Sequence, residues 1–224
     1  QYYVASSASA SIIINFTNTT LWMDSSTARW GDPTSLTARL EAVPGPGHVV
    51  ARWIHFTING TYAGKVMTNN LGYATWLFED TYDVGDVGWN ASFDGDNYAG
   101  PSANSTTFAS QKEITVMLGS SLTVRQGETP AYTAHLTDDE GYDLSGMNVL
   151  FYRGGNLLAT VATDSGGLAT YNDTAAASLG EGNYSLQYSF ATDSHYLAIN
   201  YNPTLTVRRW STHFEVPPPT QYWG

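Results

Sequence analysis

The side chains able to do chemistry in this 224-residue sequence are few and widely spaced. Its histidines are His48, His55, His135, His195 and His213. None stands in the His-x-His or His-x-x-x-His spacing that brings two imidazoles onto one metal ion. His55 and His135 fall on outward strand positions, where a solvated ring is expected. Acidic residues gather at Asp94-Gly95-Asp96-Asn97 and Asp138-Asp139-Glu140-Gly141. Either group offers oxygen ligands for calcium, but neither completes the twelve-residue loop that ends in Glu. Asp, Asn and Gly between strands are ordinary turn chemistry. Paired carboxylates for glycoside hydrolysis must face each other across a cleft, and the sequence gives no cleft. A Gly-x-Ser-x-Gly elbow and a phosphate-cradling glycine loop are both missing. So is cysteine, which removes thiolate nucleophiles, thiolate metal sites and disulfides together. The expectation is a non-enzyme with no catalytic residue, no metal and no cofactor.

Modification chemistry is better represented. Asn-x-Ser/Thr sequons occur at Asn15, Asn18, Asn59, Asn90, Asn104, Asn172 and Asn183, seven of the fourteen asparagines. Ser and Thr frequency alone would give about three. The excess predicts an exported protein coated with N-linked glycans, which need outward-facing asparagines. By alternation Asn90, Asn172 and Asn183 point outward, while Asn59 and Asn104 fall in turn-like stretches.

Charge agrees with that location. Nine Lys plus Arg against twenty Asp plus Glu give a net charge of −11. That sign repels phosphate, so nucleic acid is excluded as a partner. The two lysines, Lys65 and Lys112, form no basic cluster for anionic lipid, and no apolar run approaches the ~20 residues that span a bilayer. An opening at Gln1, without a basic stretch leading into an apolar one, reads as a mature chain whose targeting segment has been removed. The Tyr-, Thr- and Asn-rich, lysine-poor, cysteine-free composition points to an archaeal cell envelope.

These side chains are positioned by an internal repeat. Leu36-Thr37-Ala38-Arg39-Leu40 returns as Tyr132-Thr133-Ala134-His135-Leu136. Val66 to Thr75 returns as Val161 to Thr170, and Ser92 to Tyr98 returns, one residue longer, as Ser189 to Tyr196. Within each copy the apolar period is two. Ile54, Phe56 and Ile58 alternate with Trp53, His55 and Thr57; Ala74, Trp76 and Phe78 share a face; Trp89, Ala91 and Phe93 match Leu186, Tyr188 and Phe190. Gly, Asn and Asp punctuate the runs. The pattern predicts an all-β chain of two tandem β-sandwiches, over residues 18–111 and 112–208. Trp76 and Trp89 point inward; Trp30, Trp53 and Trp223 are expected at the surface, where they offer rings for stacking on sugar.

The run from Gly31 through Leu36-Thr37-Ala38, then Phe56-Thr57-Ile58-Asn59-Gly60, Gly72-Tyr73-Ala74 and Phe93-Asp94-Gly95-Asp96-Asn97-Tyr98, resembles the prokaryotic immunoglobulin-like repeats of surface proteins. The Phe-x-Gly-Asp-x-Tyr ending carries most of the likeness, and the second copy has lost its Gly-Asp pair. The resemblance implies two tandem immunoglobulin-like sandwiches in a stalk, adhesin or envelope polymer, usually without catalysis. Fold is implied more firmly than function.

Residues 1–17 precede the repeat. Ile12, Ile14 and Phe16 share one face of a period-2 stretch, opposite Ile13, Asn15 and Thr17. Burying three such side chains is worth about 1.5–3 kcal/mol each. Either residues 12–23 form one long first strand of the first sandwich, or the extension is a donor strand laid along a sheet edge of the next copy. A donor contact is heterologous and does not close, so it builds a filament of identical subunits. In layout the chain is then similar to archaeal thread filament subunits, which are glycosylated and joined by N-terminal strands. A glycan- or surface-binding adhesin and an accessory module of a larger secreted protein are the alternatives. Residues 209–224, with Trp210, Phe214, Pro217-Pro218-Pro219, Tyr222 and Trp223, form an aromatic tail expected to pack on the second sandwich or a neighbour.

Overall fold

The computed structural model describes residues 17–45, 47–211 and 215, in two compact units, Gln1–Lys112 and Glu113–Gly224. The donor-strand residues Ile12, Ile14 and Phe16, and the sequon at Asn15, lie outside the described residues.

In the first unit, β1 (Asn18–Met23), β3 (Pro33–Val43) and β6 (Tyr73–Glu79) form a three-stranded antiparallel sheet in the order β1-β3-β6. The opposing sheet runs β2-β8-β7-β4-β5, from β2 (Thr27–Arg29), β4 (Trp53–Ile58), β5 (Thr61–Met67), β7 (Gly85–Phe93) and β8 (Ser102–Gln111). Only the short β2 pairs in parallel, with β8. Leu21, Leu36, Leu40, Ile54, Phe56, Trp89, Ala91 and Phe108 fill the space between the sheets. Alternation therefore places the core where the sequence predicts, and the two-sandwich, all-β reading holds.

The second unit repeats this plan. β9 (Thr115–Gly119), β11 (Ala131–Asp138) and β14 (Leu168–Asn172) form one sheet. β10 (Leu122–Arg125), β17 (Thr204–Arg208), β15 (Gly182–Phe190), β12 (Asn148–Arg153) and β13 (Asn156–Ala162) form the other, with β16 (Ile199–Tyr201) also paired to β15. Its core holds Tyr132, Leu136, Val149, Phe151, Leu186, Tyr188 and Leu205. The single last strand of the first unit is divided here into β16 and β17, because Pro203 has no N–H to give the ladder.

Local chemistry explains why the same elements form twice. The β4–β5 hairpin turns on Asn59-Gly60, at φ +46° and +77°, and β12–β13 turns on Gly154-Gly155, at +56° and +81°. Two positive φ values suit the right-handed twist of a hairpin, and Asn and Gly tolerate them. Leading into β6, Asn69 Oδ1 accepts the amides of Leu71 and Tyr73; leading into β14, Asp164 Oδ1 accepts those of Gly166 and Leu168. The buried hydroxyls of Thr68 and Thr163 donate to the carbonyls of Val49 and Leu144 and accept the amides of Arg52 and Met147. Core packing covaries between the copies. A Cβ on Gly64 would lie 2.3 Å from the Trp76 ring, whereas the second unit sets Ala159 and the smaller Tyr171 at the matching positions.

Both sandwiches begin in the same way. Thr17 donates its amide to Tyr98 O and accepts from Gly100 N; Glu113 likewise uses His195 O and Leu197 N. The hydroxyls of Thr19 and Thr115 then reach Gly100 O and Leu197 O. Thr17, assigned by sequence to the extension, is thus already bonded into the first unit.

Candidate functional site

Among the described residues the sequon asparagines Asn18, Asn90, Asn172 and Asn183 take outward strand positions and Asn59 a turn, whereas Asn104 pairs with the buried Ala91 and sits on the inward-facing side of its strand near the open end of the sandwich. Asn18, Asn59, Asn104, Asn172 and Asn183 are exposed, and Asn90 is half-buried on the outer side of β7. Asn104 corrects the sequence reading: it lies within β8 rather than in a turn, and its Nδ2 donates to Leu21 O at 2.9 Å. Gly and Ser/Thr neighbours made the segment look turn-like, but its ladder to β7 runs unbroken from Phe93↔Ser102 to Gly85↔Ser110. Two sequons, Asn90 and Asn104, lie in the five-stranded sheet of the first unit, and a third, Asn59, in its β4–β5 turn. Asn90 Nδ2 donates to Asn104 O at 2.9 Å. A shallow furrow of about 470 Å³ crosses this outer face, lined by Thr57, Asn59, Gly88, Asn90, Ser105 and Thr107.

The three-stranded sheet presents a different surface. Trp22, Arg39 and Tyr73 stand directly opposite one another on β1, β3 and β6, and Trp22 is 61% exposed. Arg39 is pinned in the middle. Its Nη1 pairs with Glu41 at 2.9 Å, its Nε donates to Leu71 O, Nη2 meets His48 Nδ1 at 3.0 Å, and its Cζ sits 5.1 Å above the Tyr73 ring. The result is an aromatic–cation–aromatic strip in which Trp22 is the exposed ring and the guanidinium covers one face of Tyr73. The matching row in the second unit is Leu118, His135 and Leu168. Trp53 is 45% exposed, but the Lys65 ammonium lies 4.9 Å from its ring centroid and occupies one face. Trp30, expected at the surface, is half-buried, its amide bonded to Gln111 O; Trp223 lies outside the described residues.

Neither outward histidine is simply solvated. His135 Nε2 meets Asp143 Oδ1 at 2.6 Å, and His55 Nε2 lies 3.5 Å from Asp94 Oδ2. The acidic runs act as turns. Asp138 Oδ1 accepts the Tyr142 amide, with Gly141 at φ +89°. Asp96 Oδ1 accepts the amides of Tyr98 and Ala99 and its other oxygen pairs with Arg52. Those amides, Tyr98 first, together with Arg52 hold the Asp96 carboxyl below the usual carboxylate range. The second copy has lost the glycine but keeps the aspartate's function: Asp193 Oδ1 accepts the amides of His195 and Tyr196. One inserted residue had hidden the match.

A buried polar cluster escaped the sequence reading. In the second unit the Tyr132 hydroxyl donates to Asp173 Oδ2 at 2.9 Å, Arg153 Nη1 pairs with the same oxygen, and Asp173 Oδ1 accepts the Ala176 amide, capping a 3₁₀ turn over Thr174–Ser178. Asp173 is fully buried. Burial, followed by the Asp173 carboxylate, pushes the Tyr132 hydroxyl well above the usual phenol range. By strand register the matching residues of the first unit are Leu36, Ile58 and Phe78; the first unit buries its own aspartate two residues later, Asp80, which accepts the Tyr82 amide and has no tyrosine or arginine in place of Tyr132 and Arg153. That divergence was the signal available in the repeat. Beyond β17, Trp210 Nε1 donates to Gln126 O at 3.0 Å beneath the Arg125 guanidinium, and Arg209 pairs with Glu181, so the start of the aromatic tail lies on the second unit. Among the described residues no helix is long and apolar enough to cross a membrane.

No protein-family model and no curated protein matches the sequence. Among solved structures, a run of domains from titin is similar at 10% identity over 83% of this chain and 63% of that one, with a TM-score of 0.51. The titin domains z1z2 in complex with telethonin are 16% identical over 84% and 94% of the two chains, with a TM-score of 0.45. Invasin, a bacterial integrin-binding protein, is 16% identical over 85% of this chain and 39% of its own, with a TM-score of 0.48. This chain therefore spans less than two thirds of the titin run and of invasin. At such identities the likeness concerns fold alone: the chain has the fold of two tandem immunoglobulin-like domains.

Proposed function

We propose that the protein is a non-enzymatic, exported, N-glycosylated structural subunit that joins identical copies head to tail into a surface filament through its N-terminal strand. One observation carries the reading. Both sandwiches close with equivalent strands, and the first is engaged from Thr17 as the second is from Glu113, so the repeat unit itself begins at 17. A period-2 apolar stretch, Ile12-Ile13-Ile14-Asn15-Phe16, precedes the repeat unit in sequence, and in this reading a sheet edge of another copy takes it up by strand addition. The outward sequons support the glycoprotein part. The test compares the full chain with a deletion of residues 1–16, by negative-stain microscopy, sedimentation and thermal melting. Filaments from the full chain and unaltered, folded monomers from the deletion are expected. Filaments from the deletion, or a first sandwich that fails to fold, overturn the reading.

The strip Trp22–Arg39–Tyr73 favours a second reading, an adhesin that grips glycans. A glycan array would separate the two: binding lost with Trp22→Ala supports the adhesin, and no binding by the parent chain ends it.

A further inference from the structure

Most glycines here have a visible reason. Gly60 and Gly72 sit at positive φ, and Gly64 and Gly119 leave room for the rings of Trp76 and of Tyr188 and Tyr201. Gly88 has neither reason. Its φ lies outside the left-handed region, and a Cβ built on it meets nothing within 4 Å; among the described glycines it alone combines these properties. It stands inside β7, where glycine weakens a strand. The second unit places Ser185 at the matching position, opposite Thr204 as Gly88 is opposite Thr107. The fold does not ask for glycine at 88.

What lies over Gly88 is the furrow of the five-stranded sheet. Its rim is hydroxyl and amide without charge, from Thr57, Asn59, Asn90, Ser105 and Thr107, which suits a neutral sugar. Asn90 is both a rim residue and a sequon. Its Nδ2 bond to Asn104 O needs one N–H, and a glycosylated amide keeps one, so an Asn90 whose retained hydrogen makes this bond has the direction of its glycosidic linkage fixed by it. We propose that the furrow floored by Gly88 seats the first sugar of the N-linked glycan on Asn90, making that glycan a packed part of the first sandwich. The proposal rests on the glycoprotein reading above and adds where the sugar lies and what holds it.

The test uses the full chain from an N-glycosylating host, with Gly88→Val, Ser92→Ala, which removes the sequon but leaves Asn90, and the double variant. Mass spectrometry establishes occupancy at Asn90, and only occupied molecules represent the glycosylated arms. Without the sequon, Gly88→Val should raise Tm by about 2–5 °C, because valine suits a strand and enters open space. With the glycan present the gain should vanish or reverse, since the valine takes the sugar's place. An equal rise in both backgrounds with Asn90 occupied overturns the seat and leaves the glycoprotein reading intact. An unoccupied Asn90 in the native protein overturns both at this position. A coupling that survives Ser92→Ala but disappears with Thr61→Ala, which removes the Asn59 sequon, assigns the furrow to the Asn59 glycan and overturns the choice of Asn90.

Discussion

Single residues set the turns on which both sandwiches depend. Gly72 and Gly167 lie at φ +79° and +67°, with Leu40 O and Leu136 O at 2.7 and 2.5 Å from where a Cβ would stand. Alanine at either adds left-handed strain to a backbone clash, so Gly72→Ala and Gly167→Ala should each cost about 2 kcal/mol or more, read from chemical denaturation. Thr163→Val keeps the shape but strips the partner from Leu144 O and Met147 N in a dry site, an expected loss of about 1–3 kcal/mol. Acid sensitivity belongs at this scale too. The amides of Leu168 and Gly166 hold the Asp164 carboxyl below the usual range, and those of Tyr98 and Ala99 do the same for Asp96. A carboxyl depressed on folding stabilises the native state above its unfolded pKa near 3.9, and that contribution fades as pH falls through the lower folded value. Asp164→Asn, which copies Asn69 of the first copy, should therefore keep the turn at pH 7 and flatten the stability–pH curve below pH 4. The repeat made Gly72 and Gly167 legible in the sequence. The service of Asp193 in place of Asp96 was not, because an insertion broke the alignment while the hydrogen-bond geometry tolerated it.

Elements were legible where alternation ran unbroken. Ile54, Phe56 and Ile58 were placed inward and are buried, because a half-buried strand has no other way to satisfy a period of two. The reading failed where the period is interrupted. Arg153 follows the register shift between Phe151 and Tyr152, and Asp173 follows the end of β14, so neither position could be phased from the strand before it. The cluster they form with Tyr132 predicts a specific pattern of losses. Asp173→Ala removes the shared acceptor of Tyr132 and Arg153 and a 3₁₀ cap, and should cost about 3–5 kcal/mol. Replacing the three together by the residues of the first copy, Tyr132→Leu, Arg153→Ile and Asp173→Phe, should recover most of that loss, because no buried charge is then left alone. A triple variant as unstable as Asp173→Ala would show that the cluster is matched to features of the second sandwich beyond these three positions. Unfolding curves of the single and triple variants decide it.

At the scale of the whole molecule, charge opposes the association proposed for the apolar N-terminal stretch. Each copy carries −11 at pH 7 with an isoelectric point near 4.6, so copies brought end to end repel one another over a Debye length of about 10 Å at 0.1 M salt. A contact built on main-chain hydrogen bonds and the side chains of Ile12, Ile14 and Phe16 has no charge of its own to screen. Salt should therefore act on assembly only by relieving that repulsion. Raising ionic strength from about 10 mM to 150 mM at pH 7 should speed polymerisation and lower the concentration at which filaments appear. Lowering pH toward 5 should do the same without salt. Below about pH 4 the trend should reverse, because the chain is past its isoelectric point near 4.6 and carries net positive charge that restores the repulsion. At still lower pH, protonation of the Asp96 and Asp164 carboxyls weakens the sandwiches themselves. Light scattering across pH and salt, paired with melting curves of the same samples, separates the two effects. Assembly that weakens as salt rises would mean that opposite charges make the contact, which the uncharged donor stretch does not supply.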